Sequence, residues 1–576
     1  MQKCIPYANF IVLRFIEPWW FMDLSECMNA FPTKRPRKHQ FTAIYKRFCT
    51  DQNIQGAFYM TNENQALRPG VDLKRLKFIF LWVFAFGLVA HGFCYFNGNF
   101  SHDSLRSIYE PGPYAMIAAG RYCRAIYRLI RGNFTLPVIN GFLFLVFLSL
   151  AVYLLTDLLP IRKKVLLILA CGILTVNSTV SLMNATYLHD ADAYGFALLM
   201  AVLGAWVAVK LPWGALLSIP FYTVSLGIYQ AYINVIIYLW LFLALMELLK
   251  GTRVRQVYAM TFLRMLSIAG GMVLYFVGHL VVLWVTGIDE DQGYNTVTVV
   301  AQMGLAGLLQ QLRVTLEAGL SWFLQPRGNS PGMIRLLNIL LIPVLAYSLV
   351  VLGKRNHVRP AGWLGILGIL AAIPLGMNAT VLLSGSYHHI TIYASFFTYL
   401  AAIVLAEQCL QLPNPARSAR AVQLGCSILL GILVFDSCLY SNTIYLKKEL
   451  ESQQTLSVFT RIINQMEQTD GYVLGETPIV LVGATTESPL NVKREGFDYG
   501  ATGLWCSLTP TYYPIPQTYI SYYLGYPAVF GDGVDQWRVS VSEEMLEMPL
   551  FPEPGSVRMI DGIMVVKLSH PIIPAS

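Results

Sequence analysis

Eleven apolar runs of spanning length follow one another along the chain, at 78–96, 137–159, 165–183, 193–209, 213–229, 231–249, 263–286, 333–353, 362–383, 389–406 and 422–442. A hydrocarbon core about 30 Å thick needs roughly 20 apolar residues per helical crossing. The pattern therefore predicts a polytopic α-helical membrane protein of about eleven transmembrane helices, not a soluble globule. A mean hydropathy of +0.52 and a charged fraction of 13% agree with it. The runs 213–229 and 231–249 nearly touch, so their boundaries are soft.

The basic residues orient these runs. Arg162-Lys163-Lys164, Lys210, Lys250/Arg253/Arg255, Lys354/Arg355/Arg359 and Arg417/Arg420 fall in alternate loops. Lys74/Arg75/Lys77 and the basic cluster Lys34-Arg35-Pro36-Arg37-Lys38 join them. The positive-inside rule places all of these in the cytoplasm, and eleven crossings then put the C-terminus outside. Residues 1–76 show no signal-peptide h-region and read as a cytoplasmic segment. Residues 77–446 form the transmembrane domain.

From 447 the apolar runs shorten and charge rises, which predicts a small extracytoplasmic α/β domain over 447–576. Glu449–Gln468 reads as a helix, Pro478–Gly483 as a buried strand, and Val557–Leu568 as a hairpin about Asp561-Gly562. The ten cysteines lack CxxC or CxxH spacing, so neither a disulfide framework nor cysteine ligation of a metal is expected.

Ionisable groups gather in the loops opposite the basic ones. The run His189-Asp190-Ala191-Asp192 puts two carboxylates and an imidazole in a short loop, 184–192, between two apolar stretches. Charges so close to a bilayer usually mark a substrate or ion site. An N-cap for the following helix would explain one carboxylate, but not two and a histidine. Loop 97–136 carries Asp103, Glu110 and five arginines. Asp103 could be a general base, a solvated loop residue or a helix cap, and Glu110 joins the substrate-binding candidates.

Arg121, Arg124, Arg128 and Arg131 share one face at helical spacing. They suit a lipid phosphate or ordinary headgroups equally. The stretch 298–324 in loop 287–332 reads as a second amphipathic helix. Tyr229-Gln230 suits a sugar hydroxyl or a plain turn, and His388-His389 a metal or substrate, or an interfacial cap. There is no GxGxxG, P-loop or HExxH, and the cytoplasmic loops are too short for a nucleotide-sugar site. An enzyme built this way needs a membrane-borne donor.

The order Gly87-Leu88-Val89-Ala90-His91-Gly92, Tyr95-Phe96-Asn97, Ser101-His102-Asp103-Ser104, Gly120-Arg121, the Asp190/Asp192 loop and Ile228-Tyr229-Gln230 resembles the Gtr-type-II glucosyltransferase family. That family is known from serotype-converting enzymes that decorate bacterial O-antigen. The resemblance extends over roughly 75–570. It implies a GT-C fold in the bacterial plasma (inner) membrane, with its active site extracytoplasmic. It also implies transfer of a sugar, glucose by family, from a polyprenyl-phosphate donor to a cell-envelope polysaccharide or glycolipid.

Within the resemblance, Asp103 matches the acidic residue after the first crossing, the candidate general base, Asp190 and Asp192 match the second acidic loop and complete the catalytic candidates, and Arg121 matches the Gly-Arg motif. No cofactor and no resident metal are expected, although a divalent ion is left open, and no nucleic-acid partner is expected. A flippase or transporter of lipid-linked saccharide, or a polymerase, are the other readings. A flippase needs polar groups deep within several crossings, whereas here they gather at one face.

Overall fold

A computed structural model describes residues 71–98, 101, 104–105, 114–132, 134–289, 304–384, 387–483, 489–490 and 515–571. The chain divides into two compact units, Met1–Gly70 with Arg128–Gly132, and Val71–Tyr127 with Asn133–Ser576. Of the first, only Arg128–Gly132 is described. It closes on itself, with the Gly132 amide donating to the Arg128 carbonyl at 2.8 Å and the Arg131 guanidinium to the Gly132 carbonyl at 2.9 Å.

The larger unit is a helical bundle followed by a small sheet. Its helices are α1 (Leu73–Asn97), α2 (Tyr114–Ala118), α3 (Tyr122–Arg131, of which residues 128–131 are counted with the smaller unit), α4 (Pro137–Leu158), α5 (Lys164–Thr175), α6 (Ser178–Tyr187) and α7 (Ala191–Lys210). There follow α8 (Gly214–Leu217), α9 (Ile219–Ile228), α10 (Ile233–Leu249), α11 (Val254–Thr286), α12 (Leu305–Leu324), α13 (Pro331–Arg355), α14 (Pro360–Gly376), α15 (Ala379–Ser384), α16 (Phe397–Gln411) and α17 (Arg417–Glu467).

Among the described residues eight helices are long and apolar enough to cross a membrane, and Lys164–Thr175, Gly214–Ile228 and Pro360–Gly376 are shorter apolar helices. The eleven sequence runs thus divide into eight long segments and three short ones.

Local chemistry explains the main departure from the sequence reading. The run 165–183 is not one helix. Asn177 breaks it, with its side-chain amide donating to the Ile173 carbonyl at 3.0 Å and its side-chain oxygen accepting from the Val180 amide at 3.0 Å. One side chain therefore satisfies backbone groups on both sides of the break, which is what apolar surroundings require. Nor is 184–192 an open loop: Leu188–Asp190 is a single 3₁₀ turn joining α6 to α7.

Contacts define the two ends of the bundle. Lys210 pairs with Asp157 at 3.0 Å, and Glu407 accepts from the amides of Arg162 and Lys163 at 2.8 Å each. Lys163 reaches Gln423, Asn356 reaches the Leu249 carbonyl, and Arg75 the Thr156 carbonyl. The basic loops therefore meet at one end. Since α5 starts and α7 finishes there, the chain reverses at Leu188–Asp190, at the opposite end. At 1.5 Å per residue α7 alone spans about 30 Å.

The amphipathic helix expected over 298–324 is observed as α12, Leu305–Leu324; residues 298–303 of that stretch lie outside the described residues. Helix α17 continues through residue 446 without a break as far as Glu467.

Beyond it lie β1 (Pro478–Val482), a short helix α18 (Ile515–Thr518), β2 (Val529–Phe530), α19 (Gly533–Ser540), α20 (Glu543–Glu547), β3 (Val557–Ile560) and β4 (Ile563–Lys567). The sheet order is β2-β1-β4-β3, parallel except for the β3–β4 hairpin. Asp561 and Gly562 carry φ of 47° and 76°, the doubly positive turn that a two-residue hairpin favours. Val458, Phe459 and Ile462 of α17 pack on β1 and β4, and Leu105 joins the same core. Lys567 is buried on the opposite face of the sheet, its ammonium donating to the carbonyls of Met545, Leu546 and Met548 at 2.7–3.0 Å.

Candidate active site

The 3₁₀ turn at the end away from the basic loops carries His189 and Asp190, and Asp192 opens α7. Asp190 and Asp192 have no exposed surface and His189 is 4% exposed. Asp190 stands at the N-cap of α7 yet makes no side-chain cap bond. Its carboxylate instead pairs with the Arg124 guanidinium at 2.9 Å and lies 3.3 Å from His189 Nε2. The Tyr127 hydroxyl donates to Asp192 at 2.8 Å. Arg124 and Tyr127 are one turn apart on α3, so one short helix answers both carboxylates. A buried ion pair is costly to desolvate and is weak evidence for stability. Within a membrane bundle it makes these residues the candidate functional site.

Gly120 sets the approach of α3. Its φ is +73°, and a Cβ there would meet the Tyr275 hydroxyl at 2.4 Å and Gln230 Nε2 at 3.3 Å. Glycine is required on both counts. Gly120→Ala is expected to lower stability by about 1–3 kcal/mol and to reduce activity by tilting α3 away from Asp190. Thermal unfolding and activity of the purified variant check this.

Behind the turn, Tyr122, Tyr275 and His279 stack with ring centroids 5.9–6.5 Å apart. Gln230 donates to the Ala119 carbonyl and to the Tyr275 hydroxyl at 3.1 Å each. Its amide is thus committed to holding the Gly120 turn.

Tyr229 forms a wall. Its ring lies 4.6 Å from that of Tyr194, its hydroxyl donates to the Ile390 carbonyl at 3.1 Å, and Arg121 lies within Coulomb range of it. Thr179 donates to the His389 carbonyl at 2.8 Å, which brings the 387–390 segment to the same end.

Burial, the Arg327 charge and His388 hold the His389 imidazole down at about 4, so it is neutral at pH 7. His388 is exposed, and its carbonyl accepts from Thr391. Arg327 stands on a turn fixed by Asp436, which accepts from the amides of Asn329 and Ser330 at 3.0 Å each.

Of the sequence candidates, His189, Asp190, Asp192, Arg124, Arg121, Tyr229 and Gln230 come together here. Arg128 falls in the smaller unit. Asp103 and Glu110 lie outside the described residues. The described neighbours Ser101 and Ser104 bond to each other, and Ser101 donates to the Thr186 carbonyl of α6. Among the described residues no group of three His, Cys, Asp or Glu could hold a metal ion.

Two residues escaped the sequence reading. Lys448 is buried on α17 and donates to the Ala185 carbonyl, next to the one Ser101 holds. The signal was a lysine on the same helical stripe as Tyr445. Arg327 is the other; the Gly328 beside it, whose Cβ would meet Ile334 at 2.0 Å and Asp436 at 2.6 Å, marks a built turn.

A family model described as Glucosyl transferase GtrII matches residues 92–406, more than half of the 576-residue chain. No curated protein and no solved structure matches.

Proposed function

Because the chain belongs to the GtrII glucosyltransferase family and is a glycosyltransferase, we propose that it moves glucose from a polyprenyl-phosphate carrier onto an envelope polysaccharide or glycolipid. The observation that carries this reading is the buried Arg124–Asp190–His189 cluster, at the end of the bundle opposite the basic loops. By the positive-inside rule that end faces away from the cytoplasm, where nucleotide sugars are not supplied and a lipid-borne donor is. Eleven crossings, counting the three shorter helices, give this orientation and put 447–576 on the same side. A GT-C architecture fits it.

In this account Asp103 takes the proton of the acceptor hydroxyl. Asp190 and Asp192 have no exposed surface and are already engaged by Arg124, His189 and Tyr127. Asp190 is placed to hold the Arg124 cation and Asp192 the Tyr127 hydroxyl, rather than to meet an acceptor. Arg121, at the Tyr229 wall, offsets the charge that develops on the leaving lipid phosphate, an interaction that strengthens as the bond breaks.

Arg121→Ala is expected to lower turnover on the order of 10²-fold while changing donor binding little, read by rates and by retention of labelled polyprenyl-phosphate-glucose. Equal loss in both would make Arg121 a simple binding residue. At the level of the cell, mass spectrometry of envelope polysaccharide from a deletion strain should show glucose side groups missing on an intact backbone. A backbone of altered length would favour the polymerase reading instead.

A further inference from the structure

At the basic end, α13, α16 and α17 diverge around a cleft of about 640 Å³ that has no place in the reaction. Its walls are apolar, from Val350, Val351, Leu412 and Pro415, and Lys354 and Arg355 stand on its rim. Both cations are exposed, and no acidic residue lines the cleft. A hydroxyl pair, Tyr347 to Ser418 at 2.6 Å, lies along the same wall. The volume falls within the range of about 300–1,000 Å³ typical of small-molecule sites.

Two cations over an apolar slot between membrane helices match one chemistry: an anion on an acyl chain. Basic pockets of this kind on the cytoplasmic side hold lipid phosphates. The rim lies on the end where the basic loops gather, so an anionic headgroup is drawn there by the wider field as well.

We propose that this cleft binds an anionic phospholipid, its phosphate on Lys354 and Arg355 and its acyl chain against Val350, Leu412 and Pro415. The site is separate from the donor site: α13 runs 25 residues from the Asp436-held turn to Arg355, about 37 Å. It depends on the helical bundle and not on the identity of the sugar donor.

The test uses full-length protein in neutral detergent, titrated with phosphatidylglycerol, phosphatidylcholine or inorganic phosphate and read by native mass spectrometry and thermal shift. Wild type should retain one phosphatidylglycerol and be stabilised by it, but not by phosphatidylcholine or phosphate. Lys354→Gln with Arg355→Gln should weaken that retention at least tenfold without changing stability in the absence of lipid. Val350→Trp, which fills the slot, should abolish it.

Undiminished phosphatidylglycerol retention by the charge variant would overturn the proposal. So would equal stabilisation by free phosphate. A wild-type dimer that Val350→Trp dissociates would assign the cleft to a second copy and overturn it as well. Should Val350→Trp fail to fold, the charge variant alone decides, since both of its positions are exposed.

Discussion

Asp190→Asn is expected to cost on the order of 10² or more in turnover and to destabilise the protein. The carboxylate has no exposed surface and is the anion that Arg124 faces at 2.9 Å. Its neutralisation leaves a buried guanidinium poorly compensated, which costs about 3–5 kcal/mol when one partner of a buried pair is removed. Lost activity alone would not separate chemistry from folding.

The decisive companion is Arg124→Met with Asp190→Leu. Replacing a buried ion pair by apolar residues of similar volume is often neutral or stabilising, so thermal stability should return close to wild type. Transfer should not return, because the cluster that orients His189 and α3 is gone. A double variant that transfers sugar at the wild-type rate would make the pair a scaffold feature only.

Asp103→Asn is expected to lower turnover by on the order of 10²–10⁴ while leaving the unfolding temperature unchanged. The expectation rests on its place in the Ser101-His102-Asp103-Ser104 motif and on the engagement of the two competing carboxylates. If the acidic limb of the rate profile persists in the variant, the proton goes elsewhere. Near-normal transfer would move the role to Asp192 or Asp190.

The periodic features were legible in the sequence. Apolar runs marked where helices lie, because burial in lipid leaves no other way to satisfy the backbone. The Asp561-Gly562 pair marked the β3–β4 hairpin because its two central residues need positive φ. The cluster residues His189, Asp190 and Asp192 stood out as charges among apolar neighbours.

Pairings between distant segments were not legible. Nothing local to Arg124 says that it meets Asp190 rather than a headgroup, and its spacing with Arg121, Arg128 and Arg131 suggested one shared role for all four. The break at Asn177 is masked by its apolar flanks, although Asn177-Ser178-Thr179 is a run of capping residues. Lys448 is turned inward only by the fold of α17 against α6. Such residues become visible once two helices are laid side by side.

The central claim is transfer from a lipid-borne donor at the end of the bundle away from the basic loops. Purified protein in proteoliposomes, oriented with its C-terminus outward, should transfer labelled glucose from polyprenyl-phosphate-glucose to acceptor supplied outside. It should not do so from a nucleotide-linked glucose, and Asp103→Asn should be inactive with either donor. Transfer from the nucleotide sugar without lipid, or only to acceptor sealed inside, would contradict the account.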